Sequence, residues 1–129
     1  MQKFFLLFLI VLLFGCSKKE ENKIIIKEAD LELQMIDSYK RGVEALEKGD
    51  GLTAAKKFVE AELLFPQSEW APKSALMAAY SYYFIDNYED AINEIELYLK
   101  KYPKDERISY ANFLLAMCYY QSIIDEKKD

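Results

Sequence analysis

Chemistry in a protein needs reactive side chains brought together, and this chain of 129 residues carries few of the usual ones. It has no histidine. Serine-protease triads, imidazole acid–base catalysis and histidine metal sites are therefore excluded. Its thiols are Cys16 and Cys118, and two are too few for a disulfide framework. The adjoining carboxylates Glu20-Glu21 and Asp125-Glu126 fall in polar stretches. No glycine-rich phosphate loop, metal-ligand spacing or activated nucleophile is visible, so neither an enzyme nor a cofactor is expected. Cys118 lies in an apolar helical run, Phe113 to Tyr120, where a small buried hydrophobe is the ordinary role. Cys16 differs, because it follows Gly15 and an unbroken apolar run of 11 residues, Phe4 to Phe14.

That run has Lys3 before it and polar Ser17-Lys18-Lys19-Glu20-Glu21-Asn22 after it. A membrane span needs about 20 apolar residues, whereas this length suits the core of a secretory signal. The ending Leu13-Phe14-Gly15-Cys16 resembles the lipobox of bacterial lipoproteins. The resemblance implies cleavage of a signal peptide, residues 1–15, and acylation of Cys16 on its sulfur and its new amine. Leu13 and Gly15 fit that pattern; Phe14 is larger than its slot usually holds. An ordinary signal peptide with an incidental cysteine is the other reading. Acyl chains would hold the protein tightly, each buried CH₂ contributing about 0.8 kcal/mol. By the lipoprotein sorting rule, Ser17 rather than aspartate after the cysteine implies the periplasmic face of the outer membrane.

What remains is the composition of a folded domain. Apolar residues make up 52% and aromatic ones 15%, with only 4 Gly and 3 Pro, enough apolar surface to offset chain entropy. A balance of 17 Lys+Arg against 22 Asp+Glu leaves −5, which argues against a nucleic-acid partner. Residues 16–28 are expected as the lipidated terminus and a charged spacer, in which Ile24-Ile25-Ile26 suit either docking or a short strand. From residue 29 to residue 129 the pattern is helical: runs at about 30–48, 51–65, 70–85, 88–101 and 105–123. Gly49-Asp50-Gly51 stops the first run, and Asp50 is placed to cap the second. Pro66 and Pro103 end the second and fourth. Ser68, Asn87 (paired with Asp90) and Asp105 are expected as caps of the third, fourth and fifth. The fold class is all-α.

The runs repeat. Ala54 and Ala91, and Pro66 and Pro103, are each 37 residues apart, and Gly42, Ala79 and Ala116 keep the same spacing. Helical hairpins with small residues at fixed offsets resemble tetratricopeptide (TPR) units, whose usual period is about 34. Repeats are expected at about 30–66, 68–103 and 105–129, the last incomplete, giving about two and a half antiparallel hairpins. Helix A of each unit would present its small residue to helix B. The charges of the B helices, Lys56, Lys57, Glu60, Glu62, Glu89, Asp90, Glu94, Lys100 and Lys101, are expected in solvent.

TPR arrays bind extended peptides on the concave face lined by A helices. Counting from the small residue places Tyr39, Val43 and Leu46 there from the first A helix. The second supplies Leu76, Tyr80 and Tyr83, with Phe84 beside them, and the third supplies Phe113, Met117 and Tyr120. A solvated face should be polar; this one is apolar and aromatic, as a partner site would be. The same residues also suit an ordinary core, and the pattern leaves both open.

The stretch Phe65-Pro66-Gln67-Ser68-Glu69-Trp70-Ala71-Pro72-Lys73-Ser74-Ala75-Leu76-Met77 is distinctive. With Ala78-Ala79-Tyr80-Ser81-Tyr82-Tyr83 and Tyr98-Leu99-Lys100-Lys101-Tyr102-Pro103, it resembles the BamD family of outer-membrane lipoproteins, over about residues 36–121. The resemblance implies a non-enzymatic part of the β-barrel assembly machinery and the N-terminal portion of a five-repeat chain. It implies unfolded outer-membrane proteins as clients, and a BamA-like barrel protein and accessory lipoproteins as partners. A different periplasm-facing TPR lipoprotein scaffold, pilotin-like or associated with cell division, is the alternative.

Overall fold

The computed structural model describes the backbone of residues 20–126 and the side chains of residues 27–124. The expected signal peptide, residues 1–15, and the expected acylation site Cys16 lie outside the described residues. Five helices are described: α1 (Glu20–Glu47), α2 (Gly51–Leu64), α3 (Trp70–Phe84), α4 (Tyr88–Lys101) and α5 (Ile108–Glu126). The chain divides into two units, Met1–Asp30 and Leu31–Asp129. In the first, the described backbone is helical from Glu20, so residues 24–26 form no strand. The second holds the helical hairpins, an all-α, TPR-like arrangement in which α2 packs on α3, α3 on α4, and α4 on α5.

The turns inside the two complete hairpins are built alike. After α1, Gly49 takes φ 79°, its N–H donates to Leu46 O at 3.0 Å, and the Asp50 N–H donates to Ala45 O at 2.9 Å. After α3, Asp86 takes φ 59°, with its N–H on Tyr83 O at 3.1 Å and the Asn87 N–H on Tyr82 O at 3.0 Å. Both are Schellman endings, which satisfy carbonyls that the helix leaves orphaned. The next residue caps the following helix each time. Asp50 Oδ1 accepts from Thr53 N at 3.0 Å, and Asn87 Oδ1 accepts from Asp90 N at 3.4 Å. The Asn87 side-chain amide also donates to the Asp90 carboxylate at 2.7 Å, a second tie between the two residues.

Two expected caps behave differently. Ser68 does not cap α3; its hydroxyl donates back to Phe65 O at 2.8 Å, and Glu69 precedes the helix with no side-chain cap bond. Asp105 stands before α5 and braces the approach to it, accepting the Arg107 N–H at 2.9 Å and the Tyr98 hydroxyl at 2.6 Å. The first turn of the expected run, 105–107, is consequently a bracketed turn, and α5 starts at Ile108.

Small residues let the helices approach. Gly42 is buried, and a Cβ there would lie 2.9 Å from the Phe58 ring. Ala54, Ala79 and Ala91 are fully buried. Around them lie two core clusters. One joins Ala45, Ala54, Phe58 and Ala78. The other includes Leu76, Ala79, Ala91, Ile95, Tyr98, Leu114 and Cys118. Burial also raises the Cys118 thiol pKa, which suits an inert core side chain. Ala116 breaks the series: it is exposed, because α4 covers only the side of α5 that carries Ala111, Leu114 and Cys118. Glu62 departs from expectation as well. It is buried, not solvated, and binds Lys101 Nζ at 2.5 Å and the Tyr102 hydroxyl at 2.6 Å, joining α2 to the end of α4.

Candidate peptide-binding face

The hairpin turns set α1 and α3 as A helices, the period of 37 gives α5 the same place, and side chains spaced by three or four residues along α3 project from one stripe. Lys73, Leu76, Met77 and Tyr80 follow that spacing. With Arg107 and Tyr110, at the start of α5, they line a hollow of about 490 Å³. A second hollow of about 370 Å³ runs along α1 and includes Ile36, Tyr39, Val43 and Trp70. A smaller one of about 200 Å³ lies among Glu69, Trp70, Lys73 and Arg107.

The residues expected in one aromatic groove fall into distinct places. Leu76 and Tyr80 meet in the largest hollow, and Tyr39 and Val43 in the second. Leu46 is half-buried against the first core cluster. Leu76 is almost fully buried and forms the floor of its hollow as well as part of the core. Tyr83 packs between neighbours, its ring 6.4 Å from Tyr80 and 5.9 Å from Tyr88. Phe84 stands exposed beside Tyr80 at 6.5 Å. Phe113 and Tyr120, 61% and 59% exposed on α5, line neither large hollow, and Met117 is half-buried.

Sequence reasoning missed the polar members. Lys73 sits with Nζ 4.5 Å from the centre of the Trp70 ring and 5.3 Å from that of Tyr39, a cation lying on two aromatic faces. Tyr39 in turn meets Trp70 edge-on at 5.2 Å and Phe58 at 5.1 Å. Arg107 Nη1 binds both oxygens of Asp105, at 3.0 and 2.8 Å, and Asp105 is itself fixed by Tyr98. The signal for Lys73 was present: it stands three and seven residues before Leu76 and Tyr80, on the same stripe. Arg107 had no such signal, because it precedes its helix.

Burial favours the neutral hydroxyl at two tyrosines of the face, Tyr39 and Tyr110. Burial raises the pKa of Tyr39, against a smaller opposing pull from Arg107. Burial raises that of Tyr110 too, with Tyr80 and Tyr83 adding to it. The face therefore offers flat apolar area with hydroxyl donors, and two cations between the hollows. Among the described residues no three Cys, Asp or Glu side chains gather as a metal site would need. None of the described helices is long and apolar enough to cross a membrane.

Residues 31–129 match the family described as "YfiO: Outer membrane lipoprotein". The chain is 32% identical over 116 residues to the outer membrane protein assembly factor BamD of Caulobacter vibrioides, covering 89% of this chain and 37% of that protein. It is 33% identical over 125 residues to the factor of the same name from Rickettsia prowazekii, covering 96% of this chain and 47% of that one. The chain thus spans less than half the length of either relative. No solved structure matches it significantly.

Proposed function

The chain belongs to the YfiO family of outer membrane lipoproteins, and from that footing we propose that it is a non-enzymatic subunit of the outer-membrane protein assembly complex. In this reading residues 1–15 are a removed signal peptide and residues 16–28 an anchor and spacer held by acylated Cys16. The repeat domain, residues 29–129, faces the periplasm. A BamA-like barrel protein and accessory lipoproteins are its partners, and unfolded outer-membrane proteins its clients. Both relatives are named assembly factors, which favours this over a scaffold serving another process.

One observation carries the client-binding part: α1 and α3 line two open hollows whose walls are mainly apolar. Tyr39, Val43, Leu76 and Tyr80 line them, with Tyr83 and Phe84 adjoining. Leu46, Phe113, Met117 and Tyr120 add apolar side chains on α1 and α5, Phe113 and Tyr120 exposed and Leu46 and Met117 half-buried. Unfolded chains expose alternating aromatic and aliphatic side chains that such hollows accept, and tyrosine hydroxyls can pair with their backbone groups.

The test is binding of an unfolded barrel protein to the Tyr80→Ala, Tyr83→Ala double variant. We expect affinity to fall about tenfold with helicity, read by circular dichroism, nearly unchanged. Undiminished binding would overturn the placement of the site on this face.

A further inference from the structure

The three hollows share walls. Trp70 belongs to both the α1 hollow and the small one, and Lys73 and Arg107 belong to both the small one and the largest. The order along the face is therefore apolar, cationic, apolar. Tyr39 and Val43 stand at one end, Lys73 and Arg107 in the middle, and Leu76 and Tyr80 toward the other.

The two cations are not equally satisfied. Lys73 makes no ion pair among the described residues; its ammonium rests on Trp70 and Tyr39. Arg107 gives Nη1 to Asp105, while Nη2 is only loosely paired, at 3.5 Å, with exposed Glu106. Glu69, at the rim of the small hollow, is exposed and pairs with neither cation within ion-pair distance. A guanidinium braced on one side and an ammonium seated on aromatic rings line the same small hollow, each with donors left for a carboxylate.

The geometry points to an extended peptide in which an internal acidic side chain, flanked on both sides by apolar or aromatic ones, is held by Lys73 and Arg107. The inference rests on the reading that this face takes unfolded polypeptide, and it adds what that face selects. A chain terminus is the less fitting source of the carboxylate. With its carboxylate on the cations it would fill one apolar hollow and leave the other empty. Lys73 and Arg107 are the residues that set specificity, and Asp105, fixed by Tyr98, positions Arg107.

The test uses the full chain in detergent micelles and fluorescent twelve-residue peptides with a central aspartate between pairs of phenylalanines. An otherwise identical peptide carries asparagine at the centre, and a third carries the aspartate with an amidated C-terminus. We expect the aspartate peptide to bind about tenfold tighter than the asparagine one, as a charge-assisted contact should. Amidation should change nothing. In the Lys73→Gln, Arg107→Gln variant both peptides should bind equally. Lys73→Gln alone, which removes no ion pair from the fold, should cut the preference by about threefold. Equal binding of the aspartate and asparagine peptides would overturn this inference and leave the docking face standing. Loss of binding on amidation would overturn it in favour of terminal capture. Failure of every peptide to bind would overturn both.

Discussion

Helices α3 and α5 are both A helices of nearly continuous apolar character, yet they meet different surroundings. α3 lies between α2 and α4 and buries Ala71, Ser74, Ala75, Leu76, Ala78, Ala79 and Ser81. α5 is covered mainly by α4, and it leaves Phe113, Tyr119, Tyr120 and Ile123 about half exposed or more. Their matched alanines show the difference most cleanly, Ala79 being fully buried and Ala116 exposed. Hydrophobic character alone therefore does not decide what is core on this chain. A helix with neighbours on both sides converts its aromatic stripe into wall and floor, and one with a neighbour on one side leaves apolar side chains exposed among the described residues.

The largest effect that separates the two helices is overpacking at the matched positions. Ala79→Leu should destabilise the fold by about 2 kcal/mol, because no space surrounds a fully buried alanine. Ala116→Leu should stay within about 0.5 kcal/mol, as exposed substitutions do. Urea unfolding of both variants measures this, and equal losses would break the comparison.

A smaller effect concerns what anchors α5 to α4. Burial pushes the Asp105 carboxyl upward, but the hydrogen bonds from Tyr98 and Arg107 outweigh it, and its pKa lies below the ordinary carboxylate value. A depressed folded pKa means stability that is present above about pH 4 and lost as pH falls through the folded value. Asp105→Asn should therefore cost about 1 kcal/mol at pH 7 and progressively less in acid. Thermal unfolding between pH 7 and pH 3 checks it; a cost that grows toward acid would contradict the assignment.

Much of this architecture was legible in the residues. Gly42 and Ala79, Ala54 and Ala91, and Pro66 and Pro103 carry the period of 37 openly. The structure adds Gly49 and Asp86 at the same spacing, two residues of different type in one left-handed turn conformation. Local backbone chemistry is written locally. Coverage is not: Glu62 is indistinguishable in sequence from the solvated Glu60, and Lys101 and Tyr102 reach it from 39 and 40 residues away. Arg107 was missed for the same reason, since its place beside Lys73 depends on how Tyr98 holds Asp105. The nine positions counted from the small residues, with Phe84 beside them, fall on α1, α3 and α5. How they divide between hollow, core and open surface depends on packing between elements.

A photo-crosslinking residue placed at Met77, in the largest hollow, and separately at Leu97, exposed on α4 but lining none of the three hollows, gives the most direct measurement. With an unfolded outer-membrane protein as client, we expect adducts from Met77 and almost none from Leu97. Equal yields at the two positions, or adducts at Leu97 alone, would contradict a client site on the A-helix face.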